Sequence, residues 1–143
     1  ERCRDQSITD EISAAAAAFA ESGADYAAIV APTTSGRTVR MIARFRPGTP
    51  IFGCAHDTSN WRKLAISFGV SSVNCGRFAP QVSGSDGSAS RPLIGSSEGV
   101  YEICRDLLKD RGLLKEGDLI VWTAGSSPFE PGTTTVLRIR RVE

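Results

Sequence analysis

The sequence has almost no net charge and no long hydrophobic run. Its 143 residues include 17 Lys and Arg against 16 Asp and Glu, so the formal charge is +1. This balance argues against binding to nucleic acids or to membrane surfaces through bulk charge. No run reaches the ~18 apolar residues that span a bilayer. With 41% hydrophobic residues, the chain has the composition of an ordinary soluble globular domain.

Cysteines are few and widely spaced. They stand at positions 3, 54, 75 and 104, with no CxxC pair and no histidine at metal-ligand spacing. Buried free thiols are the simplest interpretation, and disulfides or a metal site are the alternatives. We therefore predict no metal site in this chain and a reducing, cytoplasmic location.

Short apolar runs alternate with segments of helical spacing. A helix is predicted from Ser7, as its cap, to Ser22, and Pro32 is expected to end the first strand. Continuous apolar runs of this length are typical of strands buried on both faces of a parallel sheet. The last strand alternates apolar residues with arginines, which indicates an edge strand with one wet face. The predicted strands are 26–31, 51–55, 70–75, 119–123 and 135–142.

This alternation predicts an α/β fold. We expect three αβα layers around a mainly parallel sheet of about five strands, with one antiparallel edge strand. Residues 1–143 are predicted to form a single domain, in which 76–95, rich in Gly, Ser and Pro, form a flexible loop insertion. The chain begins with Glu1 rather than Met, so we expect it to come from a longer protein.

Two loops that follow apolar strands are candidates for a binding site. In the first, hydroxyl side chains and a glycine precede a helix, whose N-terminus attracts anions. The alternative is an ordinary helix start, because the GxxxxGK[ST] pattern is absent. If both strands are parallel, both loops lie at one edge of the sheet, where α/β folds bind ligands. The candidate phosphate-binding residues are Thr33, Thr34, Ser35, Gly36, Arg37, Thr38, Gly125, Ser126, Gly132 and Thr133.

The remaining candidates are isolated. His56 is the only histidine, and it is interpreted as a loop residue or an effector contact, with acid–base chemistry as the alternative. Trp61 and Trp122 are interpreted as packing residues. No nucleophile and base stand in a recognisable pattern, so no catalytic residue is predicted in this chain.

Several segments, taken together, resemble a known family. They are SITDEI at 7–12, AIVAPTTSGRT at 28–38, ARFRP at 43–47, GLLKEGD at 112–118, VWTAG at 121–125 and PGTT at 131–134. In this order and over nearly the whole length, they resemble the C-terminal α/β domain of pyruvate kinase.

The resemblance implies a regulatory and oligomerisation domain. Members of the family carry phosphoryl transfer from phosphoenolpyruvate to ADP in a separate (β/α)8 barrel, which binds Mg²⁺ and K⁺. The domain itself has no cofactor. It contacts its own barrel, forms a subunit interface of the tetramer, and binds a sugar-phosphate or nucleotide effector. The resemblance places the effector phosphate at residues 33–38, under the loop at 125–133. This chain alone is therefore expected to be inactive.

The candidate loops also depart from the family pattern. Thr34 stands where animal members often carry Lys, and Glu130 in the second loop would repel a second phosphate. These residues favour an effector held through one phosphate. The alternatives are a stand-alone phosphometabolite-binding domain and a small enzyme of flavodoxin-like architecture, the latter without a supporting motif.

Overall fold

The computed structural model describes residues 2–55, 57–75, 97–125 and 134–143. Within them the chain alternates helices and strands as the sequence predicts. The predicted insertion at 76–95 lies outside the described residues. In chain order, the elements are α1 Arg2–Ala20, β1 Tyr26–Thr33, α2 Arg37–Arg44, β2 Ile51–Ala55, α3 Thr58–Leu64, β3 Val70–Asn74, α4 Ser97–Asp110, β4 Leu119–Gly125 and β5 Thr134–Arg141.

The strands form one mixed sheet of five strands in the order β3-β2-β1-β4-β5. The first four strands of this order run parallel, and β5 pairs antiparallel with β4 at the edge. The predicted α/β class, with a mainly parallel sheet and one antiparallel edge strand, is confirmed. The central residues of β1 and β4 are buried, which explains why their sequences are nearly continuous apolar runs.

Helices cover both faces of the sheet, giving the predicted three layers. On one face, Ala16 and Ala20 of α1 and Ile42 of α2 pack on Ile29 and Val121 of the central strands. On the other face, α4 packs on the sheet through a second apolar cluster. The alanines let α1 lie close to its neighbours, because their side chains add little bulk between backbones.

The predicted start of α1 and the predicted end of β1 are wrong, and several other boundaries differ by one or two residues. Helix α1 begins at Arg2, so Ser7 lies inside it and is not its cap. Strand β1 continues through Pro32 to Thr33. The N–H of Ile29 points to β2, where it donates to Pro50, so alternation along the strand turns the nitrogen of Pro32 towards β4. Pairing with β4 ends at Val30, and Pro32 therefore removes no ladder hydrogen bond.

The described helices differ from membrane spans. Among residues 2–55, 57–75, 97–125 and 134–143, no helix combines the length and the hydropathy that crossing a bilayer requires.

Candidate functional site

A tight loop joins β1 to α2 and carries most of the predicted site. Its central residue, Gly36, has a φ of 77°, in the left-handed region that favours glycine. The Gly36 N–H donates to Thr33 Oγ1 at 2.7 Å, so a side chain at the end of β1 closes the turn. Arg37 N–H is directed towards Ser35 Oγ at 3.4 Å. The hydroxyl residues predicted at this loop therefore help to shape its backbone.

Helix α3 supports the same loop from the side. A Cβ atom at Gly36 would lie 2.9 Å from Cδ2 of Leu64, which is fully buried. The amide of Asn60 donates to the Thr34 carbonyl oxygen, and Asp57 caps α3 by accepting from the Asn60 N–H at 2.7 Å. Glycine is thus required at position 36 both by the backbone angle and by this close packing.

The loop leads directly into the N-terminus of α2, which begins at Arg37. The first N–H groups of an α-helix lack intrahelical partners and carry the positive end of the helix dipole. Arg37 is half-buried and Arg40 is exposed, and Nη2 of Arg40 donates to the Ser35 carbonyl at 3.4 Å. The Arg40 guanidinium and the positive end of the α2 dipole therefore both lie at this loop, an arrangement that suits an anion.

The start of β5 lies against this site. Strands β1 and β4 are parallel neighbours, so their carboxyl ends share one edge of the sheet. Gly125 at the end of β4 pairs with Thr134 at the start of β5. The hydroxyls of Thr38 and Thr134 are hydrogen-bonded at 2.5 Å, and both residues are buried. This hydrogen bond joins the N-terminus of α2 to the segment in which the second loop ends.

A buried hydroxyl near this edge needs a further partner. Thr123 is fully buried in β4, and among the described residues its Oγ1 has no hydrogen-bond partner. Buried hydroxyls in folded proteins are nearly always satisfied by protein, water or ligand. Thr123 therefore adds to the polar character of the carboxyl edge of β4.

The structure brings together part of the predicted set. Thr33, Thr34, Ser35, Gly36, Arg37 and Thr38 all belong to the β1–α2 connection and the first turn of α2, and Gly125 ends the neighbouring strand. Ser126, Gly132 and Thr133 lie outside the described residues, as does His56.

The sequence prediction missed two residues of this region. Thr134, which binds Thr38, adjoins the predicted set but was assigned to no role. Asn60, which holds the Thr34 carbonyl, lies 26 residues further along the chain. The only sequence signal for Asn60 is its place three residues after the helix cap Asp57.

The other predicted side chains take mainly structural places. Trp122 is buried and meets Tyr101 edge to face with ring centroids 5.2 Å apart, and Trp61 donates its indole N–H to the Ser72 carbonyl at 3.0 Å. Both tryptophans are packing residues, as predicted. Cys54 and two further cysteines are buried free thiols, also as predicted, but their convergence at one point was not.

Comparison with known proteins decides the family. Residues 10–140 match the family model for the pyruvate kinase alpha/beta domain. The chain belongs to this family. It is 37% identical to a pyruvate kinase from Bacillus licheniformis over 93% of this chain. It is also 34% identical to a pyruvate kinase from Geobacillus stearothermophilus over 80% of this chain. The resemblance in the sequence motifs is confirmed.

A solved structure confirms the fold. The crystal structure of a pyruvate kinase from Cryptosporidium parvum matches 95% of this chain and 23% of that one, with a TM-score of 0.71 and 23% sequence identity. The chain spans about a fifth of the length of its curated relatives, 20% for Bacillus licheniformis and 17% for Geobacillus stearothermophilus. The chain thus corresponds to one part of these longer pyruvate kinases.

The Thr38–Thr134 hydrogen bond can be tested by a double-mutant cycle. Thr38→Val alone should lower the free energy of unfolding by about 1–3 kcal/mol, because it leaves the buried Thr134 hydroxyl without its partner. Thr38→Val combined with Thr134→Val should recover most of that loss, because no polar group is then stranded. Urea unfolding of the four proteins measures both values. Losses that simply add in the double variant would contradict the pairing.

Proposed function

We propose that this chain is the regulatory domain of a pyruvate kinase and binds an effector through one phosphate group at the N-terminus of α2. The Thr38–Thr134 hydrogen bond carries the proposal, because it ties the start of α2 to the end of the β4–β5 connection. A ligand held at the β1–α2 loop would therefore lie beside both the N-terminus of α2 and the start of β5.

The chemistry of the loop favours a phosphate over a neutral ligand. Gly36 has no side chain to keep an anion away from the backbone, and Arg37 stands at the first position of the helix. Phosphate is recognised well by helix N-termini and guanidinium groups together. A sugar phosphate or a nucleotide would supply this group, with the rest of the molecule lying towards Gly125 and Thr134, the described ends of the β4–β5 connection.

The same proposal assigns the chemistry to another part of a longer protein. In the pyruvate kinase reaction, phosphoryl passes from phosphoenolpyruvate to ADP, and we assign this step, with its Mg²⁺ and K⁺, to a barrel domain outside this chain. The loop hydroxyls of Thr33 and Ser35 accept hydrogen bonds that shape the turn. We assign them to the loop that binds the phosphate, and we assign no residue of this chain a catalytic role.

A stand-alone phosphometabolite-binding protein is the second candidate. The loop, α2 and the supporting α3 all belong to this chain, so the site would be complete without a barrel. The coding sequence upstream of Glu1 separates the two candidates. A barrel encoded there makes this the domain of a full enzyme in the cytoplasm, whereas its absence favours the stand-alone protein.

Ligand titration tests the effector site. We expect one member of a panel of sugar phosphates and nucleotides to raise the thermal midpoint of the chain saturably. At 100 times the dissociation constant, the ligand should add about 2.7 kcal/mol to the free energy of unfolding. Arg37→Ala should weaken its affinity by about ten-fold, because a charge-assisted contact is lost.

Arg44→Ala is the matched control for this titration. Arg44 is exposed at the last turn of the same helix, far from the loop, so its removal should leave the affinity unchanged. Equal weakening by both variants would indicate a general charge effect. No stabilisation by any phosphorylated ligand or by inorganic phosphate would contradict the proposed site.

The assignment of catalysis to a separate barrel predicts an inactive chain. Incubated with phosphoenolpyruvate, ADP, Mg²⁺ and K⁺, this chain should form no pyruvate above the background of a blank. A lactate-dehydrogenase-coupled assay measures the product, and a full-length pyruvate kinase serves as the positive control. Pyruvate formation that copurifies with the chain and responds to its mutation would refute the assignment.

We propose that assembly uses an apolar surface at the amino-terminal ends of the parallel strands, opposite to the end of the sheet that carries the β1–α2 loop. Ile66 is 87% exposed, Phe68 62% and Phe45 53%, and all three stand in the turns before β2 or β3. The two turns precede neighbouring parallel strands, and exposed apolar side chains in adjacent turns can form a contact surface. These turns precede the parallel strands, so the surface lies away from the β1–α2 loop and leaves it accessible.

Surface substitution tests this assembly. The double variant Ile66→Ser and Phe68→Ser should shift the chain from oligomer to monomer in analytical ultracentrifugation, because it removes the apolar contact. Leu113→Ser is the control, since Leu113 is also exposed but follows α4 on the other face of the sheet. A chain that is monomeric without substitution, or equally affected by the control, would contradict the proposal.

A further inference from the structure

Three cysteines from distant parts of the sequence meet under α4. Cys54 lies on β2, Cys75 directly follows β3, and Cys104 lies on α4. Their three Sγ atoms lie within 4.8 Å of one another. Cys54 and Cys104 are fully buried, and Cys75 is 2% exposed. A site of three convergent sulfur atoms is thus built into one face of the core.

The fold fixes the position of each sulfur. Cys54 pairs with Val73 in the β2–β3 ladder, and Cys75 lies two residues beyond Val73, so both cysteines face the same side of the sheet. The Cys75 N–H donates to the Ala55 carbonyl at 2.7 Å, which extends the ladder to the cysteine itself. Cys104 reaches the same point from the helix above.

The spacing suits three bonds to a single soft ion. Sulfur atoms within 4.8 Å of one another lie no more than about 2.8 Å from a common centre, whereas a thiolate–metal bond is about 2.3 Å long, taking zinc as reference. Each sulfur would need to move inward by at most about 0.5 Å, which small side-chain rotations provide. Among the described residues, no fourth cysteine, histidine or carboxylate belongs to the group.

Coordination number and charge then select the kind of ion. Zinc in structural sites is almost always bound by four ligands, and with three thiolates it would leave a negative charge in an apolar core. Monovalent copper would leave two negative charges. A trivalent ion with three thiolates is neutral, which avoids the cost of burying charge.

We propose that Cys54, Cys75 and Cys104 form a binding site for a trivalent thiophilic ion, with arsenite as its representative. Three thiols exchange with the three hydroxyl groups of arsenous acid. Each exchange forms one arsenic–sulfur bond and breaks one arsenic–oxygen bond, and the hydroxide leaves with the thiol proton as water. Arsenic stays trivalent throughout, so the reaction needs neither an oxidant nor a reductant.

The positions of the thiols in the fold support a stepwise reaction. Cys75 directly follows β3, which is an edge strand of the described sheet, whereas Cys54 lies on the inner strand β2. Local opening at an edge strand needs less free energy than opening the core, so Cys75 is the first sulfur to bind and Cys104 closes the site.

Native mass spectrometry of the chain with arsenite tests the site. The protein is kept reduced with a phosphine, because thiol reductants compete for arsenic. One adduct is expected, heavier than the protein by one arsenic atom less three protons. An adduct held by two sulfurs retains a hydroxide and is heavier than this by one water, so its mass distinguishes the two cases without any variant.

Single substitutions locate the adduct. Cys104→Ala or Cys54→Ala should replace the three-sulfur adduct with the heavier two-sulfur form and weaken arsenite binding by more than about 100-fold, beyond the cost of losing an outer-shell partner. Cys3→Ala is the matched control, because Cys3 lies on α1, which covers the opposite face. It should leave both mass and affinity unchanged. Circular dichroism confirms that each variant is folded.

Several outcomes would overturn the proposal. They are an adduct of two-sulfur mass on the unsubstituted chain, no adduct at all, an adduct lost in Cys3→Ala, and binding of Zn²⁺ or Cu⁺ in preference to arsenite. A disulfide between two of the three cysteines in phosphine-treated protein would also refute it. The readout does not depend on effector binding, so the proposed regulatory function stands or falls separately.

Discussion

Parallel pairing of β1 with β4 at the centre of the sheet fixes where the two candidate binding loops leave the sheet. Because the two strands run in the same direction, the connection that leaves β1 and the connection that leaves β4 emerge at the same edge. The strands are also buried on both faces, so their register cannot slip without moving apolar side chains into water. The Thr38–Thr134 hydrogen bond then joins the two connections. Had β4 run antiparallel, the candidate phosphate loop would stand alone.

Leu64 holds the β1–α2 loop in place by packing against Gly36. Its fully buried side chain lies where a Cβ at Gly36 would come within 2.9 Å, and where one at Gly53 would come within 3.0 Å. Two glycines, one in the loop and one in β2, therefore make room for a single leucine at the end of α3. A bulkier residue at either glycine would push α3 away and release Asn60 from the Thr34 carbonyl. The shape of the candidate phosphate loop thus depends on the packing behind it as much as on its own residues.

The sequence predicts the sheet better than it predicts the site. Buried strands such as β2 are recognisable because burial on both faces demands continuous apolar runs, and its bounds at Ile51 and Ala55 agree with prediction. The continuation of β1 through Pro32 could not be predicted, because it depends on which neighbour faces that nitrogen. The Thr38–Thr134 contact depends likewise on the β4–β5 register. The composition and periodicity of a segment predict whether it forms a strand or a helix. Which residues pair between two strands depends on how the whole domain packs.

The convergence of the three cysteines could not be predicted from the sequence either. Their spacing along the chain excludes familiar metal motifs, yet the parallel register of β2 and β3 and the placement of α4 bring them together. Strand β2 separates this cluster from the face that carries α2 and α3, since Cys54 faces α4 while its neighbours Gly53 and Ala55 face the opposite core. An ion bound at the cluster would stabilise β2, which also underlies α3 and the loop. By thermodynamic reciprocity, any effect of such an ion on phosphate affinity must equal the effect of phosphate on the ion, so one strand would couple both faces of the sheet.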